Sequence, residues 1–353
     1  MRGGSGVVPL ERTRYKGEDD MIIESIASNR IADFGGWTDT WFSRRGHILN
    51  FAVDLYARVT VATKEAPGVT IHVQDYGDVV EIPSIEGAGY DDKHGLLIAA
   101  LKVMNIRHGL EVFISADVPP GCGTGSSAAV SVALIKALSV LNGEYLVAHE
   151  AARLAHRLET EELKIESGVQ DQIAAAYGGV SFIEMYEYPN SYVSPVDLSE
   201  ELRMTLENRW ILVYEGRRHL SGDVHKKVIQ GLNVEGSPSQ RALSDLKETA
   251  LAAKHALLKG DIAELGEIMD ANNAAQKSLH PEITTANFEK IESIARRIGI
   301  VGAMINGAGG GGSIVLVARA GKKTEIERAL AREGFKTLPC RMSFQPARAW
   351  PAR

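Results

Sequence analysis

The chain has 353 residues, enough for two domains, with 44% hydrophobic and 24% charged residues, the balance of an ordinary globular protein. A net charge of -6 and a pI near 6.0 argue against a nucleic-acid-binding surface. No apolar run is long enough to span a membrane, and Cys122 and Cys340 have neither metal-site spacing nor a disulfide framework, which fits a reducing, cytoplasmic setting.

The first 20 residues are polar, Gly-containing and of both charge signs; they read as a loosely ordered leader, with ordered sequence from Met21. "MIIESIAS", "GHILNFAVDLYARVTVATKEA", "VTIHVQDYG" and "GLEVFISADV" are rich in β-branched residues and read as strands. "HGLLIAALKVMNI" is a helical run between the last two. "DVPPGCGTGSSAAVSVALIKAL" then strips side chains from a turn and opens an alanine-rich helix. "LVAHEAARLAHRLETEEL" has helical spacing, and "GGVSFIEMYE" returns to strand. The polar stretch from Tyr188 to Glu207 reads as the domain boundary, giving domains at 21–200 and 201–353. Beyond it lie strand "RWILVYEG", three helical runs between Gln240 and Gly299, strands "VGAMING" and "SIVLVA" around a glycine loop, helix "KKTEIERALAREG" and a last strand near Phe335. Strands and helices mix without the steady alternation of a doubly wound sheet, so the expected class is α+β.

Gly121, Gly123 and Gly125 permit close approach to backbone that a Cβ would block. Ser126 and Ser127 fall at a helix start, where free N–H groups and the dipole favour an anion. The loop lacks the Gly-Lys-Ser/Thr ending of a Walker A motif. A helix-capping turn is the plain alternative. A second loop, "INGAGGGGSIVLV", carries more glycine than a hairpin needs and points to packing against a backbone or a ligand.

"PPGCGTGSSAA" (with Pro120 and Ala128 flanking the loop), "NGAGGGGS" (Gly307, Gly309, Gly310, Gly311) and "ASNRIADFGGWTDTW" together resemble the three signature motifs of the GHMP kinase family of galactokinase, homoserine kinase, mevalonate kinase and phosphomevalonate kinase. Thr124 stands where leucine is usual, Asn29 where a proline or similar residue is common, and Gly36 where galactokinases carry an acid. "GGWTDT" and "ESGVQDQIAAAYGG" are most similar to the D-glycero-D-manno-heptose 7-phosphate kinase branch; the first also resembles the kinase module of fucokinases.

The resemblance implies a ribosomal-protein-S5-like first domain and a ferredoxin-like second. It implies ATP and Mg²⁺ as cofactors and transfer of the γ-phosphate to the anomeric hydroxyl of a small-molecule sugar phosphate. Asp171 is then the base, or the group that orients the hydroxyl, with Arg30 beside it; as bare sequence Asp171 also suits a helix cap. Glu159 and Ser127 would meet the metal, although Glu161 and Glu162 compete with Glu159. Asp39, Gly36 and Trp37 would contact substrate, and Arg217 and Arg218, in the basic run "EGRRHLSGDVHKK", would hold its phosphate. An unphosphorylated sugar such as L-fucose and a non-catalytic nucleotide-binding regulator are the competing readings, and the oligomeric state is open.

Overall fold

The computed structural model describes residues 21–75, 77–90, 94–216 and 221–352, without the side chains of 221–223. The leader therefore lies outside the described residues. The chain runs β1 (Ile22–Phe34), β2 (Gly46–Lys64), β3 (Val69–Val73), β4 (Asp78–Ile82), α1 (Gly95–Val103), β5 (Gly109–Ala116), α2 (Ser126–Leu141) and α3 (Ala148–Arg157). A π-helical turn, Leu158–Glu162, continues α3. Then come α4 (Gln170–Tyr177), β6 (Val180–Glu187), β7 (Asn190–Pro195), α5 (Glu200–Glu207), β8 (Trp210–Tyr214), α6 (Ser221–Leu232), α7 (Pro238–Lys259), α8 (Ile262–Leu279), α9 (Ala286–Ile298), β9 (Ile300–Ile305), β10 (Ser313–Ala318), α10 (Lys323–Arg332), β11 (Lys336–Leu338) and β12 (Arg348–Pro351).

The first sheet follows the order β12-β1-β2-β5-β3-β4, and the β6–β7 hairpin attaches through β2. Only β3–β5 is parallel among its named pairs. β2 is long enough to pair β5 with its second half and β6 with its first. The second sheet has the order β11-β8-β10-β9, all antiparallel. Its strand-helix-strand-strand-helix-strand succession is the ferredoxin-like arrangement. The class is α+β, as expected. The stretch from Tyr188 to Glu207 forms β7 and α5, the latter capped by the Ser199 side chain accepting from Leu202 N–H. One departure concerns the end of the chain. The last strand, β12, returns to pair with β1.

α2 is apolar almost all round and is correspondingly buried on most faces, from Ala128 to Ser139. It packs with α1, α3 and α4 against the first sheet in one core containing Ile48, Val59, Leu134 and Ile173. A second core lies between the sheets and includes Phe51, Trp210, Ala253 and Met304. This shared apolar layer fixes the angle between the sheets, and so the cleft where the glycine loops meet.

Candidate active site

The starts of α2 and α4, the turn after β1 and the β9–β10 loop converge on a cavity of about 350 Å³. Arg30, Trp37, Asp39, Gly121, Gly123, Gly125, Ser126, Ser127, Ala128, Glu159, Asp171, Gly307, Gly309 and Gly311 all line it. Gly36, Pro120 and Gly310 do not. Gly36 packs behind the wall against Asp33 and Gln170, and Gly310 is tied by its N–H to the Ile283 carbonyl at 2.7 Å. Arg217 and Arg218 lie outside the described residues.

Arg30 is the hub. Its Nε and Nη2 reach Asp171 Oδ1 at 2.9 and 2.8 Å, and Nη1 donates to the Gly123 carbonyl at 2.5 Å and to Asp33 at 3.4 Å. Burial opposes its charge, but Asp171, Asp33 and Asp39 outweigh that and hold the guanidinium above its ordinary pKa. Asp171 sits in the first turn of α4, as a capping reading allows, yet it faces the cleft and is about one-third exposed, so a ligand can reach it.

The two glycine loops need their glycines partly for each other. A Cβ on Gly123 would stand 2.8 Å from the Asn306 carbonyl, and one on Gly307 would stand 2.8 Å from the Gly123 carbonyl; both backbones have positive φ. Gly125, the residue before α2, also has positive φ, and a Cβ there would meet Asp171 Cγ at 3.1 Å. The cradle is thus backbone against backbone, with the free N–H groups of the α2 N-terminus at its base.

The three acidic residues after α3 separate cleanly. The π-helical turn swings Glu159 inward, where Ser167 Oγ and Gln172 Nε2 donate to its Oε2 at 2.5 and 3.0 Å. Burial, with Asp171 as a smaller contributor, pushes its pKa up to about 7. Glu161 instead pairs with Arg157 on the surface, and Glu162 accepts from the Tyr90 hydroxyl. Asp39 is also buried; it accepts from Gln170 N–H at 3.0 Å, and burial raises its pKa to about 6. Glu159 and Ser127, a carboxylate and a hydroxyl that both line the cleft, are of the donor type that suits a hard cation taking its other ligands from phosphate and water.

Trp37 holds a positive φ of 74°, a conformation that costs a bulky residue about 1–3 kcal/mol and persists where the surroundings impose it. Its ring lies 4.6 Å from that of His225 on α6, which also lines the cleft. His225 was not among the sequence candidates. Neither was Asp33, which accepts from both Arg30 and the Gly307 N–H and so joins the first motif to the last. Burial raises the Asp33 pKa, with Arg30 working against it. Asn306 and Ser167 were also missed: Asn306 Oδ1 accepts from Ala32 N–H, and Ser167 anchors Glu159.

Both halves of the chain are similar to known kinases. Residues 95–179 match the model of the GHMP kinases N terminal domain, and residues 253–337 match that of the GHMP kinases C terminal domain. A D-glycero-alpha-D-manno-heptose 7-phosphate kinase of Campylobacter jejuni is 28% identical over 316 residues, covering 86% of this chain and 91% of that protein. A bifunctional fucokinase/GDP-fucose pyrophosphorylase of Arabidopsis thaliana is 25% identical over 85% of this chain but only 30% of its own length. Among solved structures, a D-glycero-D-manno-heptose 1-phosphate kinase from Bacteroides thetaiotaomicron superposes with a TM-score of 0.77 at 23% identity, covering 94% of this chain and 99% of the other. No helix among the described residues is long and apolar enough to cross a membrane. With both family domains matched in order around the cleft, the chain belongs to the GHMP kinases and is an ATP-dependent phosphotransferase.

Proposed function

We propose that the protein is a sugar kinase that transfers the ATP γ-phosphate to the anomeric C1 hydroxyl of a heptose 7-phosphate, giving the 1,7-bisphosphate and ADP. The observation that carries this reading is the Arg30–Asp171 pair at the junction of both glycine loops, in a chain similar to a heptose 7-phosphate kinase. The α2 N-terminus and loop amides bind the nucleotide phosphates. Asp171 takes the proton of the attacking hydroxyl or orients it, and Arg30 holds the carboxylate in place through two N–H donors. Asp39 accepts from sugar hydroxyls, with Trp37 against the ring. Glu159 and Ser127 would hold Mg²⁺, which when bound neutralises charge on the transferred phosphoryl group.

Among the described lining residues the cationic or protonatable nitrogen groups are Arg30 and His225, and Arg30 is already engaged by carboxylates. Arg217 and Arg218, which precede α6 in the sequence, are the donors we assign to the remote phosphate. The test is kcat/KM for heptose 7-phosphate against free heptose, L-fucose and galactose. The phosphorylated heptose is expected to lead by about 10²-fold or more, from charge-assisted contacts of roughly 1.5–3 kcal/mol each. A preference for fucose would move the assignment to the fucokinase-like reading that the plant relative favours. ATP binding without turnover of any sugar would make the protein a regulator.

A further inference from the structure

A second cavity, of about 310 Å³, lies on the far side of the π-helical turn and shares no lining residue with the catalytic cleft. α3 presents His149, Arg153, His156 and Arg157 to it at positions i, i+4, i+7 and i+8, one face of a helix. Tyr186 and Tyr188 of the β6–β7 hairpin form the opposite wall, and Ala152, Val169 and Ile173 also line it. Among the described lining residues the one acid, Glu161, is paired with Arg157 at 3.0 Å. The Arg153 guanidinium has no ion pair or hydrogen bond to any described residue. His149 Nδ1 is held by the Tyr177 hydroxyl at 3.3 Å, which leaves its Nε2 open.

A guanidinium without a partner, a second basic group one turn away and an aromatic wall over an apolar floor make a ring-and-phosphate site. Its volume falls at the lower end of small-ligand pockets. The cavity also has a physical connection to the cleft. The Tyr188 hydroxyl donates to the Ser167 carbonyl at 2.9 Å, so His156 Nε2, 3.0 Å away, carries the proton toward that oxygen. Ser167 Oγ in turn holds Glu159. Thr160 and Glu161 line this cavity while Glu159, in the same turn, lines the other; likewise Val169 and Ile173 flank Asp171.

We propose that this cavity is a regulatory site for a small phosphomonoester bearing a ring, bound by Arg153 and His149 against Tyr186 and Tyr188, and coupled to the catalytic cleft through Tyr188 and Ser167. The proposal does not depend on which sugar is phosphorylated: ADP fills the nucleotide part of the cleft, and the Arg153 variants, remote from the cleft lining, assign any remaining probe binding to this cavity. Calorimetric titrations on ADP-saturated enzyme would use AMP, ribose 5-phosphate and, as the uncharged control, adenosine. At least one phosphorylated probe is expected to bind once per chain, about tenfold or more tighter than adenosine. Arg153→Glu should weaken it about tenfold or more while leaving kcat without probe unchanged, and Arg153→Ala should act in the same direction. The bound probe should alter turnover of the wild-type enzyme, and Tyr188→Phe, which keeps the wall but removes the hydroxyl, should bind the probe and lose that alteration. Absence of binding by both phosphorylated probes, or equal binding by both Arg153 variants, would overturn the site. Binding with no change in turnover, or a change that survives in Tyr188→Phe, would overturn the coupling.

Discussion

Thr124 Oγ1 donates to Asn29 Oδ1 at 3.1 Å in the interior, and the next residue, Arg30, donates its backbone N–H to the Thr124 carbonyl at 3.0 Å. Both side chains depart from the motif residues that the family resemblance leads one to expect, and they meet each other. Asn29 also donates to the Leu55 carbonyl at 2.7 Å, so the pair is satisfied where a lone polar group would be costly. Thr124→Leu strands a buried acceptor and should cost about 1–3 kcal/mol in denaturant unfolding. The Thr124→Leu, Asn29→Ala double variant should lose less than the sum, with a coupling of about 0.5–3 kcal/mol. Strict additivity would show that the bond contributes nothing.

Of the three positive-φ glycines of the first loop, Gly123 and Gly125 should fail in different ways. In Gly123→Ala the new methyl meets the Asn306 carbonyl, so the two glycine loops are forced apart. ATP affinity should fall by about tenfold or more, or 1.4 kcal/mol. In Gly125→Ala the methyl meets Asp171, so kcat should fall more than ATP affinity. Nucleotide binding by fluorescence and turnover by ADP release separate the two. Equal effects on both quantities would show that the loop moves as one piece.

Glu159 makes stability depend on pH in a particular direction. Its pKa is raised from an ordinary 4.5 to about 7 by burial, so between those values the native state holds a proton that the unfolded chain has released. Stability from this group therefore declines as pH rises through that window and does not recover above it. Glu159→Gln keeps an oxygen for Ser167 and Gln172 but cannot ionise. Without nucleotide or metal, the variant's Tm should gain on the wild type from pH 5 to pH 8. A constant Tm difference across that range would mean that Glu159 is not held protonated. Asp39, raised to about 6 by burial, adds a smaller decline of the same sign.

Much of the site was legible because motifs are local: each glycine loop and the Gly168–Gly179 stretch could be read without knowing what it packs against. What they pack against was not. Asp33 looks like one polar residue in a strand until the fold brings Gly307, 274 positions away, to its carboxylate. Glu159 could not be told from Glu161 and Glu162, since ordinary helical spacing leaves the π-helical turn that separates them unannounced. The pairing of β12 with β1 is likewise a long-range fact that four residues of "RAWP" cannot signal.

The Arg30–Asp171 contact gives the sharpest test of chemistry against architecture. Asp171→Asn preserves shape and removes charge, and loss of a proton-transfer group typically costs about 10²–10⁴ in rate. It also leaves the buried Arg30 guanidinium with Asp33 as its nearest remaining carboxylate, so some loss of stability accompanies the loss of turnover. A purely structural role for Asp171 predicts the second effect without the first. Single-turnover measurements at saturating ATP and sugar, made alongside unfolding curves, distinguish them. The expected result is a slow chemical step with substrate affinities changed only a few-fold. Arg30→Lys should give a milder version, because an ammonium supplies charge but not the paired donation to Asp171 and the simultaneous bond to the Gly123 carbonyl. Turnover by Asp171→Asn within a few-fold of wild type would reduce Asp171 to a first-turn residue of α4 that happens to face the cleft.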